Sequence, residues 1–514
     1  MRIDDLPHAA LIDSFRSYVI RHSTFHPHAI PHSASAVTPV HNRTTDTQRT
    51  RNPSRQFTER PMPLPRFASR SRPSRSNRFS TGGPAVVTRE NAASAPRIAG
   101  VDVARGLALL GMFSVHVFGA FEPDDSPTVA WQLAGGRSSA TFALVAGVGL
   151  AFTTGGRTPR VGRGSLAAVT ARALTVGLIG LLLGYAANAG GLGVDVILVF
   201  YALLFLLALP LLTLRARTLG CVALALGVLA PFLVHVLRGV LPEPAFDGDP
   251  TLQDVVTDPA GLLGDLLVHG PYPVLAWTAY LCAGLAIGRL DLYDRRTATR
   301  LLTAGLALAA AAWLACSWWL FRRGGLERLR RTEFADATGP HARDQVLWDT
   351  PDGDTWWSMV SRAPHSTSPF DLLHTLGAAT ALLAAALLLT RVTWVRRALL
   401  PLAAAGSMPL TLYTAHVLFL STGTLNGSPG LQYAVLVAGS LLFAVAWRLT
   451  RGRGPLEVLV AGAARKARAW ERGSGSGRRP PGSPSDLPVR RSEPAQPSLP
   501  AAPAARSESQ NQHR

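Results

Sequence analysis

The sequence predicts an all-α protein, a polytopic transmembrane bundle of about ten helices with disordered basic tails at both ends. Three observations carry this reading. Runs of roughly 18 to 24 mostly apolar residues recur between about residues 100 and 450, each long enough to cross a hydrocarbon core about 30 Å thick. Small residues recur at helix spacing, as in Gly180 with Gly184 and Gly284 with Gly288, the pattern that lets membrane helices approach closely. Arginines mark alternate connections between the runs, as the positive-inside rule requires of a multi-pass chain. The tails dilute the apolar blocks, so mean hydropathy over 514 residues is only +0.19.

Residues 1–96, with "RFASRSRPSRSNRFSTGG", are rich in Arg, Ser and Pro and lack periodicity, which predicts disorder. Part of this stretch is expected to be untranslated if synthesis starts at Met62 or at a non-Met codon near Val87; N-terminal sequencing reads which. The helical domain is predicted over 97–460. Its spans run approximately 101–121, 138–154, 167–187, 194–213, 218–238, 271–290, 299–321, 370–391, 397–420 and 430–449, with ends uncertain by about 2 to 4 residues. Pro210, Pro231 and Pro409 fall within spans and are expected to kink them. The long connection 322–369 carries Trp348, Trp356 and Trp357 and is long enough to lie on a membrane surface or cap a cavity. It separates an N-terminal part, 97–320, from a C-terminal part, 370–460. Residues 461–514 are predicted to be a disordered tail.

The net charge of +19 and pI of about 11.2 suggest nucleic acid. No such partner is expected, because the excess lies in the tails: residues 1–96 hold 14 Arg against 6 acids, and 451–514 hold 12 basic against 5 acidic residues. Within the bundle, Arg157, Arg160, Arg163, Arg215, Arg217, Arg289, Arg295, Arg296, Arg300, Arg391, Arg396 and Arg397 sit on one set of connections. The intervening loops are acidic or neutral, with Glu122, Asp124, Asp125, Glu243, Asp247, Asp249, Asp254 and Asp258. Both termini are therefore predicted to be cytoplasmic. Cys221, Cys282 and Cys316 each stand alone inside a span, so neither a disulfide framework nor a metal site is expected.

The first span, "RIAGVDVARGLALLGMFSVHVF", carries charge that a membrane helix tolerates only with partners or a task. At 100° per residue Arg105 and His116 lie about 20° apart and Asp102 within about 60° of either, so all three share a face. Asp102 and Arg105 sit at the inner end, open to a simple interfacial pairing, and His116 about 16 Å beyond Arg105. The histidines outside the tails, His116, His235, His269, His341, His365, His374 and His416, all fall in the outer half or outer loops. Imidazole there suits general acid/base work, or merely the capping of helix ends. His116, His374 and His416 lie in or at the start of spans and are predicted to meet at similar depth. Tyr413 and His416, one turn apart, share a helix face.

The motifs "RIAGVDVARGLALLGMFSVH", "SSATFALVAGVGLAF", "PFDLLHTLG", "GSMPLTLYTAHV" and "RGRGPLEVLV" resemble the YeiB-type bacterial membrane proteins of unknown function. Their N-terminal half is similar to the catalytic domain of heparan-α-glucosaminide N-acetyltransferase. The resemblance implies a bacterial plasma-membrane enzyme that takes an acetyl group from cytosolic acetyl-CoA to an amine or hydroxyl of a glycan or lipid across the membrane. It implies an active-site histidine in the outer loop after the D-x-x-R-G helix. Here that loop, "GAFEPDDSPTVAWQLAGG", has none, and His116 stands on the helix where the acetyltransferase has an asparagine. His116, His374 or His416 then carries the chemistry, with Asp102, Arg105 and Tyr413 as polar support, and Arg157, Arg160, Arg163 and Arg172 as phosphate holders for CoA. A solute or proton-coupled transporter, and a noncatalytic scaffold or sensor, remain open alternatives. Expected partners are the bilayer and a glycan or lipid acceptor; a homo-oligomer is left open.

Overall fold

The computed structural model describes residues 97–191 and 193–476, with side chains to Glu471; the expectations for 1–96 and 477–514 lie outside the described residues. Helices dominate, and among the described residues no β-strand forms. Along the chain they are α1 Ala99–Phe118, α2 Arg137–Thr153, α3 Arg163–Ala189, α4 Ile197–Leu207, α5 Ala216–Arg238, α6 Val274–Gly288, α7 Arg295–Arg322, α8 Pro369–Leu389, α9 Leu400–Gly406, α10 Pro409–Ser421, α11 Pro429–Thr450 and α12 Pro455–Ser476, with shorter helical turns between.

All ten predicted spans are helical, but fewer than ten cross on their own. Six helices (α1, α3, α5, α7, α8 and α11) are long and apolar enough to span a membrane, or up to eight spans if each bent pair counts as one. The pairs are Pro259–His269 with α6, bent by 57°, and α9 with α10, bent by 84°. The correction has a geometric cause. α2 has 17 residues and α4 has 11, so at 1.5 Å per residue they extend about 25 Å and 16 Å against a core of about 30 Å. Pro210 opens the 3-10 turn Leu209–Thr213 that ends α4, and Pro409 stands at the first turn of α10 after the break at Met408. Pro231 lies inside α5.

A second correction concerns the C-terminus. Residues 461–476, predicted as tail, continue α12, which lies along α3. Its Ala, Leu, Glu and Arg content favours helix, and Val460 is buried. The connection 322–369 is also structured: Gly325–Glu333, Ala342–Trp348 and a 3-10 turn at Trp356–Val360 form a small core with Cys316 and Leu320 of α7.

Helix contacts follow the small residues. α6 packs on α2 where a Cβ on Gly284 would strike the Leu144 carbonyl and come within 3.0 Å of Gly147 Cα. Gly180 lets α3 close on Leu198 and Val199 of α4. α9 crosses α1 at Gly406, whose missing side chain makes room for the Asp102 carbonyl. Absence of side chains here raises dispersion contact between backbones, the source of cohesion when lipid removes the hydrophobic drive.

The helix directions give the bundle two distinct ends. One, with the start of α1, the α2–α3 turn and the α8–α9 turn, carries Arg157, Arg160, Arg163, Arg391, Arg396 and Arg397. The other, where α1 and α10 finish and α8 begins, carries the histidines.

Candidate functional site

At the histidine end two imidazoles 300 residues apart in sequence meet. His116 Nδ1 lies 2.9 Å from His416 Nε2, with ring centroids 5.2 Å apart and planes within 12°. The position follows from the sequence: His116 is in the last turn of α1, on the face that Gly106 opens to the α9 backbone, and the α9–α10 bend brings α10 back against α1. Phe113 and Tyr413 enclose the His416 ring at centroid distances of 4.6 and 4.9 Å, leaving His416 1% exposed. His116 is half-buried.

The hydrogen bonds fix the proton positions. His416 Nδ1 lies 2.5 Å from the Tyr413 carbonyl oxygen, which only accepts, so Nδ1 carries the proton. The neutral ring then has its lone pair on Nε2 and accepts the His116 Nδ1–H. His116 is left with a lone pair on Nε2, the arrangement that orients a base or nucleophile. Tyr413 completes the frame, its hydroxyl accepting from Ile197 N at 3.2 Å and donating to the Asp195 carbonyl at 3.3 Å.

The rim contains Asp249, which reads in the sequence as an ordinary loop charge, together with Asp195 and His365. Asp249 accepts from Val196 N at 2.5 Å through Oδ1, while its backbone exchanges two hydrogen bonds with the Asn188 amide, at 2.8 and 2.9 Å. Burial, reinforced by the Asp195 charge and opposed by the Val196 N–H, pushes the Asp249 carboxyl up to about 8; burial pushes Asp195 up to about 6. His365, brought in by the long connection with φ 64°, is stacked between Trp131 and Trp277 at centroid distances of 6.0 and 6.2 Å. Burial lowers it to about 4, and its Nδ1 is buried without a hydrogen-bond partner. The sequence places His365 among the outer histidines but gives no sign of the aromatic rings that enclose it.

The Asp249 carboxyl gives a pH signature. A carboxyl whose folded value is raised keeps its proton in the fold while the unfolded chain loses it near 3.8. Its penalty is absent below about pH 4, grows as pH rises, and is complete above about pH 8. In Asp249→Asn the thermal midpoint is expected to fall less than the parent's between pH 5 and pH 8, with the curves running together below pH 4. Parallel curves over the whole range refute the assignment.

At the opposite end of α1, Arg105 Nη1 bonds Asp102 Oδ1 at 3.2 Å and the Gly406 carbonyl at 3.0 Å, so the predicted pairing forms and also clamps α9. Arg172 of α3 lies within electrostatic reach of Arg105. Tyr201 of α4 is within reach of both Arg105 and Tyr413, and its buried hydroxyl has no hydrogen-bond partner. The other predicted phosphate holders are at the surface. Arg157 pairs with Asp291 at 3.0 Å with 69% of its side chain exposed, and Arg160 and Arg163 are exposed.

The structure does not bring His374 to the imidazole pair. Its Nδ1 donates to the Ala309 carbonyl at 3.1 Å and its Nε2 faces Arg137 Nη2 at 3.5 Å, so it looks toward α7 and α2. His374 lies at the same end of the bundle as the pair, but its partners are on other helices. Among the described residues no group of three or more His, Cys, Asp or Glu is placed to hold a metal ion.

Residues 97–317 match the family model described as heparan-alpha-glucosaminide N-acetyltransferase, catalytic. No curated protein matches the chain. The matched segment runs from α1 through most of α7 and contains His116, Arg105, Arg172 and Tyr201; His416 and the bent α9–α10 pair lie beyond it.

Proposed function

We propose that the protein is a membrane acyltransferase that moves an acetyl group from acetyl-CoA, held at the arginine-rich end, to an amine or hydroxyl of a glycan or lipid at the histidine end. The observation that carries the reading is the His116–His416 contact, which leaves one imidazole nitrogen with an oriented lone pair. The family match supports the class of reaction. The arginine-rich end faces the cytoplasm of a bacterium under the positive-inside rule, with both termini on that side of the plasma membrane.

In this reading Arg105 and Arg172 offer charge to the CoA phosphates, and Asp102 holds Arg105 in place. The acyl-bearing arm extends along the Tyr201 hydroxyl, a free donor on the way to His116, about 16 Å along the helix axis. His116 Nε2 takes the proton from the acceptor as its lone pair attacks the thioester carbon. The C–S bond breaks, and the departing thiolate takes that proton from the imidazolium, giving free CoA and the acetylated acceptor. His416 orients His116 without touching the substrate.

A transporter is the second reading, favoured by the two broken helices, a feature that lines substrate sites in many transporters. The deciding experiment adds radiolabelled acetyl-CoA to the arginine-rich face of sealed vesicles. Label on an acceptor at the other face is the expected result. Solute flux without CoA, together with no binding of acetyl-CoA by purified protein, overturns it.

A further inference from the structure

Separate from the imidazole pair, at the same end of the bundle, lies a recess between α2, α7 and α8 lined by Arg137, Arg362, His374, Trp313 and Trp348. We propose that this recess binds the phosphodiester of an anionic membrane lipid. The inference rests on the membrane reading and is independent of acetyl transfer.

The recess holds two guanidinium groups with unspent donors. Arg362 Nη1 is buried with no hydrogen-bond partner. Arg137 uses Nη1 on the Gln132 carbonyl at 2.8 Å, but Nη2 reaches only the 3.5 Å contact with His374. Asp371 is the acid in electrostatic reach of Arg137, yet among the described residues neither arginine forms an ion pair with a carboxylate. Burying guanidinium donors without an acceptor is costly, so the arrangement is stabilised when an oxyanion arrives. The planar fork of arginine matches phosphate oxygens in pairs.

Size and depth choose the form of the anion. The volume of about 50 Å³ admits a few waters or a tetrahedral group and excludes a whole lipid. Arg362 stacks over Trp313 at 5.6 Å, and Trp313 is at the same time 46% exposed on the outer face of α7. Trp318, Trp319 and Phe321 are also exposed, nearer the end of that helix. Such a band marks headgroup depth, with acyl chains lying beside it. A phosphodiester entering past Trp313 meets both arginines while its chains stay in lipid, which a basic pocket between membrane helices is built to do.

The test uses the purified full-length protein in detergent, with tryptophan fluorescence read during titration by short-chain phosphatidylglycerol, phosphatidylcholine and inorganic phosphate. Saturable binding of phosphatidylglycerol, at least tenfold tighter than of the other two, is expected. In Arg137→Gln/Arg362→Gln the dissociation constant rises tenfold or more, while Arg396→Gln at the other end leaves it unchanged. If the double variant does not fold, Arg362→Lys serves: it keeps the charge but loses the fork, and weakens binding by about threefold to tenfold. Inorganic phosphate binding as tightly as the lipid overturns the lipid assignment. Lipid affinity unchanged in a folded double variant, or in Arg362→Lys when that variant is the one used, overturns the site.

Discussion

His116→Ala lowers acetyl transfer by about 10²- to 10⁴-fold, the range lost with a general base, and leaves acetyl-CoA binding within about twofold of the parent. The separation of the two effects follows from geometry. His116 stands about 16 Å along α1 from Arg105, so the groups assigned to the CoA phosphates are untouched by the change. His416→Ala is expected to cost less, about tenfold to a hundredfold, because it removes only the acceptor that fixes the His116 tautomer. It also changes the pH–rate profile, which a general loss of folding does not. The double variant is no slower than His116→Ala, since two groups acting as a unit do not add. Initial rates and equilibrium binding on the same preparations provide the check. Transfer by His116→Ala within twofold of the parent removes the histidine from the reaction.

The helices were legible because each buries a long apolar run, and the glycine pairs were legible because close approach admits nothing larger. Part of the charge pattern was legible too: Arg157, Arg160, Arg163, Arg391, Arg396 and Arg397 share one end of the bundle, whereas Arg137 and Arg362 join the histidines at the other. Four things escaped. Hydropathy does not register a break of one or two residues, so α9 and α10 read as a single span although Met408 turns the chain by 84°. Depth along a helix is fixed by residue number, but the facing of one helix toward another is set by packing, so His116 and His416 met while His374, at the same end, did not. Asp249 reads as a solvated loop charge because nothing local shows that Asn188 and the Val196 N–H close on it, and Asp195 falls at the start of the 194–213 run without any sign of its neighbours. α12 was hidden by its neighbourhood, a helix-forming stretch running into Gly-, Pro- and Arg-rich sequence.

Glu457→Ala is expected to cost about 2 to 4 kcal/mol, and the reason explains the G-P-L-E motif. The break before Pro409 exposes the first turn of α10, and Met408 offers no side-chain cap. Glu457, in the first turn of α12, supplies the missing acceptors from another helix. Its Oε1 takes Leu410 N at 2.8 Å and Thr411 N at 3.2 Å, and its Oε2 takes the Thr411 hydroxyl at 2.6 Å. A carboxylate there also opposes the positive end of the α10 dipole. Gly454 keeps the turn open, since a Cβ would strike Glu457 Oε2 and Met408 Cβ. The motif therefore acts as a staple holding the helix that carries Tyr413 and His416. Glu457→Gln retains an oxygen for the two backbone donors and recovers more than half of the lost thermal stability. If positioning of α10 matters for transfer, activity follows the same order, parent above Gln above Ala, while acetyl-CoA binding persists in all three. A thermal midpoint for Glu457→Ala within a degree of the parent shows that α10 keeps its place without the staple.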